Sequence, residues 1–133
     1  MPEVTDESVV GPCLDVGHAI LGGGDPVELL RRHGRRVRHV HLKDVDPGPL
    51  ESLRNGGLTG FAAALEHRIF ATLGSGMLDV PSVITALGVR GYRGWLMVEQ
   101  DTSWEPPSEA AAIARHVLDA VLRWPPAGPG RAA

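Results

Sequence analysis

Three short runs hold the residues whose types and spacing could do chemistry: Leu14-Asp15-Val16-Gly17-His18, His39-Val40-His41-Leu42-Lys43-Asp44 and Val98-Glu99-Gln100-Asp101. Each closes an apolar, strand-like stretch with groups that bind a divalent cation or move protons. His39, His41 and Lys43 alternate, so on a strand they share one face while Val40 and Leu42 take the other. Two imidazoles and an ammonium on a buried face are costly unless they are paired or liganded. Taken alone, the two histidines could be core residues with satisfied ring nitrogens. With Asp15 and Glu99 at comparable strand ends, a metal site is the better reading. A set of Asp15, His41 and Glu99 suits Mn²⁺, Co²⁺, Mg²⁺ or Zn²⁺. His18 lies three residues past Asp15, where it could hydrogen-bond a substrate hydroxyl or steady a metal ligand; otherwise it is a surface loop histidine. Lys43, the single lysine among thirteen Lys and Arg residues, could polarise a carbonyl or donate a proton; otherwise it is a rim lysine paired with Asp44.

These groups need strands to converge, and the intervening sequence has the pattern to supply them. Val9–Val16, Val37–Val45, Ile69–Leu73 and Gly94–Glu99 read as strands, the first interrupted by Gly11-Pro12. Gly17 to Gly24 reads as a loop. Asp25-Pro26 and Asp79-Val80-Pro81 are helix starts, a capping carboxylate with proline in the first turn. The first of these helices stops at Gly34 and the second at about Leu87. Leu50–Phe61 is ambiguous because Asn55-Gly56-Gly57 interrupts it, Phe61–Arg68 is helical, and Glu109–Leu122 forms a last amphipathic helix. This β-α alternation implies a parallel sheet with crossover helices. Repeat spacing and length fit about half of a (β/α)₈ barrel, where functional groups lie at the C-terminal strand ends. Residues 1–8 are expected to be a linker or the end of a preceding helix, 9–123 the half-barrel, and 124–133 a tail of disordered composition.

Composition narrows the function classes. The 133 residues are 43% hydrophobic and 22% charged, with a net charge of −3, so nothing favours nucleic acid or an anionic membrane as partner. No apolar run reaches the length of a membrane span. The acidic N-terminus has no signal-peptide pattern, and the single Cys13 fits a reducing compartment; a cytoplasmic location is expected. Arg31-Arg32-His33-Gly34-Arg35-Arg36-Val37-Arg38 is the strongest basic cluster. It falls between a helix end and the next strand start, opposite the candidate ligands, and reads as a solvated face whose arginines complement the helix dipole. Gly22-Gly23-Gly24 and Gly74-Ser75-Gly76 match no phosphate-loop pattern.

The runs CLDVGHA, GGGDPVELLRRHGRRVRHVHLKDV, LGSGMLDVPSVITAL and GYRGWLMVEQD together resemble the C-terminal half of the sugar phosphate isomerase/epimerase family, the xylose isomerase-like TIM barrels. The pairing of HVHLKDV with VEQD is nearest the inosose dehydratase branch. The resemblance implies four parallel strands of an α/β half-barrel. It also implies one divalent metal held by Glu, Asp, His and Glu from four strands. Asp15, His41 and Glu99 match three of these, and the leading Glu belongs to a strand before the start of this chain; Glu3 and Glu7 do not take its place. His18 matches a substrate-contacting histidine, and His39 is expected beside it. Glu99 and Lys43 are the expected catalytic pair for enediol chemistry on a small polyhydroxy carbonyl substrate; in the dehydratase branch a β-hydroxyl of a keto-inositol then leaves. The HxGExNR-like continuation of the epimerase branch is replaced here by HLKDVDP, and the LGEG-like loop by LGSG, with Ser75 in place of an acid. The related endonuclease IV branch needs more ligands and a basic face. A half-barrel has two open edges. The first and last strands should therefore be sheet edges, and the chain should self-associate, aggregate or pair with an N-terminal half-barrel. A non-catalytic fragment of such a barrel is the alternative.

Overall fold

The computed structural model describes residues 5–102 and 104–122; the expected tail lies outside them. Three strands, β1 (Cys13–Asp15), β2 (His39–Leu42) and β3 (Asp44–Val45), are followed by β4 (Phe70–Ala71) and β5 (Leu96–Val98). The helices are α1 (Val16–Leu21), α2 (Pro26–His33), α3 (Pro47–Arg54), α4 (Gly60–Glu66), α5 (Val80–Val89) and α6 (Pro107–Leu122). β1, β2 and β5 form a parallel sheet in that order. Its register sets Asp15 beside His41 and Leu42 beside Val98. β1 and β5 are the edges of the open sheet, as expected.

The number of parallel strands differs from expectation. Ile69–Leu73 is not a fourth parallel strand; its Phe70–Ala71 segment pairs antiparallel with β3. Both sides of β2 are already taken by β1 and β5. The chain therefore enters β4 by a reversal at Arg68, whose φ is 60°, and runs back along β3. Asp46 N–H donates to Ile69 O at 2.8 Å and Met77 N–H to Val45 O at 2.9 Å, extending that pairing.

Residues 17–24 also differ, because Val16–Leu21 is a helix rather than loop. Asp15 ends its strand extended and accepts the N–H of His18 at 2.9 Å, an N-cap inside the very run that carries the candidate ligand. The other caps follow the sequence. Asp25 accepts the N–H groups of Val27 and Glu28, and Asp79 accepts that of Ser82, each with proline in the first turn. The ambiguous segment resolves into α3 and α4, broken at Asn55-Gly56-Gly57, where Gly56 takes a φ of 76°.

Period-two alternation in β2 sorts the sheet faces. Val40 and Leu42 are fully buried against a core that includes Val16, Leu30, Val45, Phe70, Val83 and Leu87. Burying a leucine of this kind contributes about 1.5–3 kcal/mol. His39 and His41 are half-buried on the opposite face. The helices thus fix β2 from one side and leave its polar side for the site.

Candidate metal centre

Asp15, His41 and Glu99 come from adjacent strand ends, and one ligand atom from each lies within 4.8 Å of the others. His41 Nδ1 is in ion-pair contact with Glu99 Oε2 and lies 3.9 Å from Asp15 Oδ2. Glu99 Oε2 is buried, and apart from this contact with His41 it accepts no hydrogen bond among the described residues. Two carboxylates and an imidazole converging around such an oxygen fit a divalent cation of hard to borderline character.

Lys43 occupies the centre of the cluster. Its side chain is 1% exposed. Nζ donates to Glu99 Oε1 and to Asp101 Oδ2, both at 3.1 Å, and lies 3.3 Å from Asp15 Oδ2. It also sits 4.9 Å from the centroid of the Phe70 ring. Burial would lower its pKa, but hydrogen bonds to Asp101 and Glu99 and the charge of Asp15 outweigh this and hold it above the ordinary value. A raised lysine pKa keeps the ammonium charged through neutral pH, and its stabilising contribution is lost only as pH rises through that value. Asp15 shows the opposite shift. Burial would raise its carboxyl, but the hydrogen bonds from His18 and the charge of Lys43 prevail and hold it below the usual carboxylate value.

Room for Lys43 comes from another run of the sequence. A Cβ on Gly17 would lie 2.9 Å from Lys43 Cβ, Cγ and carbonyl oxygen, closer than packed carbons allow. The glycine of the LDVGH run therefore admits the lysine of the HLKD run.

His18 Nδ1 contacts Asp15 Oδ2 at 2.8 Å, so the ring is tethered to a candidate ligand while half of its surface stays exposed. Phe70 and Phe61 flank it, with centroids at 5.7 and 6.2 Å. His39 lies lower on its strand, beside Cys13 rather than Asp15, with its ring edge-on to His41 at 5.1 Å. Lys43 does not pair with Asp44. That carboxylate faces the other way and accepts four backbone N–H groups, from Val45 (2.9 Å), Gly74 (2.8 Å), Gly76 (3.0 Å) and Leu78 (2.9 Å). A Cβ on Gly76 would collide with the same carboxylate. The Gly74-Ser75-Gly76 loop is thus wrapped around Asp44.

Asp101 and Phe70 belong to the cluster; the first closes the third chemical run but was given no role from sequence, and the second was not singled out. For Asp101 a signal existed: it follows Glu99 by two residues, the strand period that also relates His41 to Lys43. Phe70 carried none, since its contact depends on the unexpected antiparallel pairing of β4.

The comparisons agree with this architecture. The profile of the family described as Xylose isomerase-like TIM barrel matches residues 3–121. The rhizopine catabolism protein MocC of Rhizobium meliloti is 45% identical over 107 residues, covering 80% of this chain and 31% of its own. An inosose dehydratase of Geobacillus kaustophilus is 38% identical over 122 residues, covering 90% of this chain and 39% of its own. The crystal structure of a xylose isomerase domain protein from Planctomyces limnophilus superposes with a TM-score of 0.70 at 28% identity, over 92% of this chain and 40% of that one. The chain therefore spans between about a third and two fifths of the length of these relatives. Among the described residues no helix is long and apolar enough to cross a membrane. By sequence and by fold, this chain belongs to the xylose isomerase-like TIM-barrel family.

Proposed function

We propose that the site serves a metal-dependent lyase or isomerase acting on a small polyhydroxy ketone through an enediol, in the manner of inosose dehydration. The observation that carries this reading is the convergence of Asp15, His41 and Glu99 within 4.8 Å on three strand ends. A divalent ion held there, Mn²⁺ or Co²⁺ by preference, would supply Lewis-acid polarisation of the carbonyl and its neighbouring hydroxyl. The chain's own groups do the rest. Glu99 would hold the ion and take the proton α to the carbonyl; in a dehydration, that proton would pass to the departing β-hydroxyl, which leaves as water and returns Glu99 to its carboxylate form. Lys43, with its ammonium directed at three carboxylates, sets their spacing and damps their mutual repulsion, which makes it a positioning residue. His18 uses Nδ1 on Asp15 and keeps Nε2 for a substrate hydroxyl. His39 orients the His41 ring from below.

Titration calorimetry with Mn²⁺ tests this directly. The chain should bind the ion, and Asp15→Ala or His41→Ala should abolish binding. No heat of binding in the unaltered chain would overturn the metal assignment.

The open edges at β1 and β5 favour one addition. Trp95, just before β5, and Met97, on it, are 79% and 47% exposed, and unpaired edges recruit strands. The reading extends to a site completed by self-association or by an N-terminal half-barrel that brings a fourth ligand. Light scattering on the Mn²⁺-loaded chain should show an assembly larger than one chain; a monodisperse monomer would remove this extension and leave the metal reading standing.

A further inference from the structure

The arginine-rich run does not end as a row of unrelated surface charges. At the N-terminal end of the sheet, opposite Asp15 and Glu99, a cleft of about 360 Å³ is lined by Arg35, Arg38, Arg90 and Arg93, together with Tyr92 and the glycines around them. Two loops far apart in sequence supply these residues, 34–38 before β2 and 90–94 before β5. Among the described residues, no carboxylate lines the cleft. Elsewhere the chain pairs its arginines readily, Arg31 and Arg32 with Glu28 and Arg115 with Asp119. Like charges gathered around one concavity repel one another unless an anion joins them.

The cleft is also built. A Cβ on Gly11 would collide with the stem of Arg38, and one on Gly34 would lie 3.0 Å from Arg90 Cγ. Each of these arginine stems therefore lies across a glycine. The Arg90 guanidinium donates to Arg31 O at 2.6 Å, which fixes it at the end of α2. Tyr92 joins the two walls, its hydroxyl donating to Trp95 O at 2.8 Å, with Arg38 O at 3.4 Å. Gly94 is needed for that clasp, because a Cβ there would collide with the tyrosine ring and its hydroxyl. Helix-dipole complementation accounts for Arg90, which lies at the ends of two helices. It leaves Arg35, Arg38 and Arg93 unexplained.

We propose that this cleft is a second binding site, separate from the metal centre, that takes a small phosphate-bearing anion. Guanidinium groups match phosphate oxygens in bidentate geometry. A phosphate group concentrates close to two negative charges in a volume that the cleft admits.

Isothermal titration of the full chain with inorganic pyrophosphate at physiological ionic strength tests the proposal, with inorganic phosphate and citrate as parallel titrants. Saturable one-to-one binding of pyrophosphate is expected. The double variant Arg35→Gln/Arg93→Gln changes two exposed side chains and should keep its circular dichroism spectrum while losing affinity by at least about tenfold. Arg38→Gln should weaken binding as well. Arg115→Gln, remote and paired with Asp119, should leave it unchanged. Absence of saturable binding, unaltered affinity in the double variant, or an equal loss in Arg115→Gln would overturn the site. Citrate binding as tightly as pyrophosphate would overturn the assignment to phosphate.

Discussion

Lys43 and Asp44 are neighbours of opposite charge, each 1% exposed, and the fold satisfies them by different means. Asp44 is held entirely by backbone: four N–H groups from Val45, Gly74, Gly76 and Leu78 surround its carboxylate. Lys43 is held entirely by side chains, the carboxylates of Asp15, Glu99 and Asp101. Backbone donors come from segments already fixed by secondary structure, so the Asp44 arrangement is rigid and serves the scaffold. Side-chain carboxylates can exchange an ammonium for another cation, so the Lys43 arrangement can serve chemistry. The same buried charge marks architecture in one case and a site in the other.

The largest expected effect comes from breaking the rigid half of this pair. Asp44→Asn removes acceptors from buried amides and should lower stability by about 3–5 kcal/mol in urea denaturation, with no recovery on adding Mn²⁺. Lys43→Met should cost less, about 2 kcal/mol, because its partners are partly solvated. Here Mn²⁺ should restore much of the loss, since binding to the folded state adds stability. If the metal rescued both variants equally, or neither, the contrast between scaffold and site would fail.

Two carboxylates nearer the solvent are the counterparts of these arrangements and sharpen the comparison. Asp79, like Asp44, accepts a backbone N–H, that of Ser82, and bonds the Ser82 hydroxyl as well. Asp79→Ala should cost about 1 kcal/mol at neutral pH as a lost cap. These Ser82 bonds hold the Asp79 pKa below its ordinary value. Its contribution is therefore full above that ordinary value and is lost as pH falls through the lowered one; thermal melts of variant and parent should converge in strong acid. Glu28, like the Lys43 cluster, relies on side chains, and its bonds to Arg31 and Arg32 bring its pKa down to about 2. Carbon-13 NMR should find that midpoint, and 1 M salt should move it back toward the ordinary glutamate range. A midpoint unaffected by salt would show that solvation does not separate the two arrangements.

Much of the site was legible because strand-end residues keep their register wherever the sheet lies. Asp15, His41 and Glu99 each close an apolar, strand-like run, and parallel pairing brings such ends together without knowledge of the loops. Capped helices were legible at Asp25 and Asp79 for a similarly local reason. What escaped depends on contacts between distant segments. Helix α1 begins because Asp15 turns its carboxylate onto the His18 amide, so a residue read as a ligand is also a cap. The placement of Phe70 follows from β2 having no free side for another parallel strand, a fact about the whole sheet. Asp44 looked like a partner for Lys43 because they are adjacent, but alternation sends consecutive side chains to opposite faces.

Gly17 and Lys43 lie on different strand–helix units, yet one exists in its form because of the other. A methyl group at position 17 falls within 2.9 Å of the lysine stem, and the lysine in turn holds Asp101 just beyond the third strand of the sheet. A methyl group added in the first run would be felt as a displaced charge in the third, and a shorter residue at position 43 would relieve only the contact with Cγ, because the same methyl group also meets the Cβ and the carbonyl oxygen there.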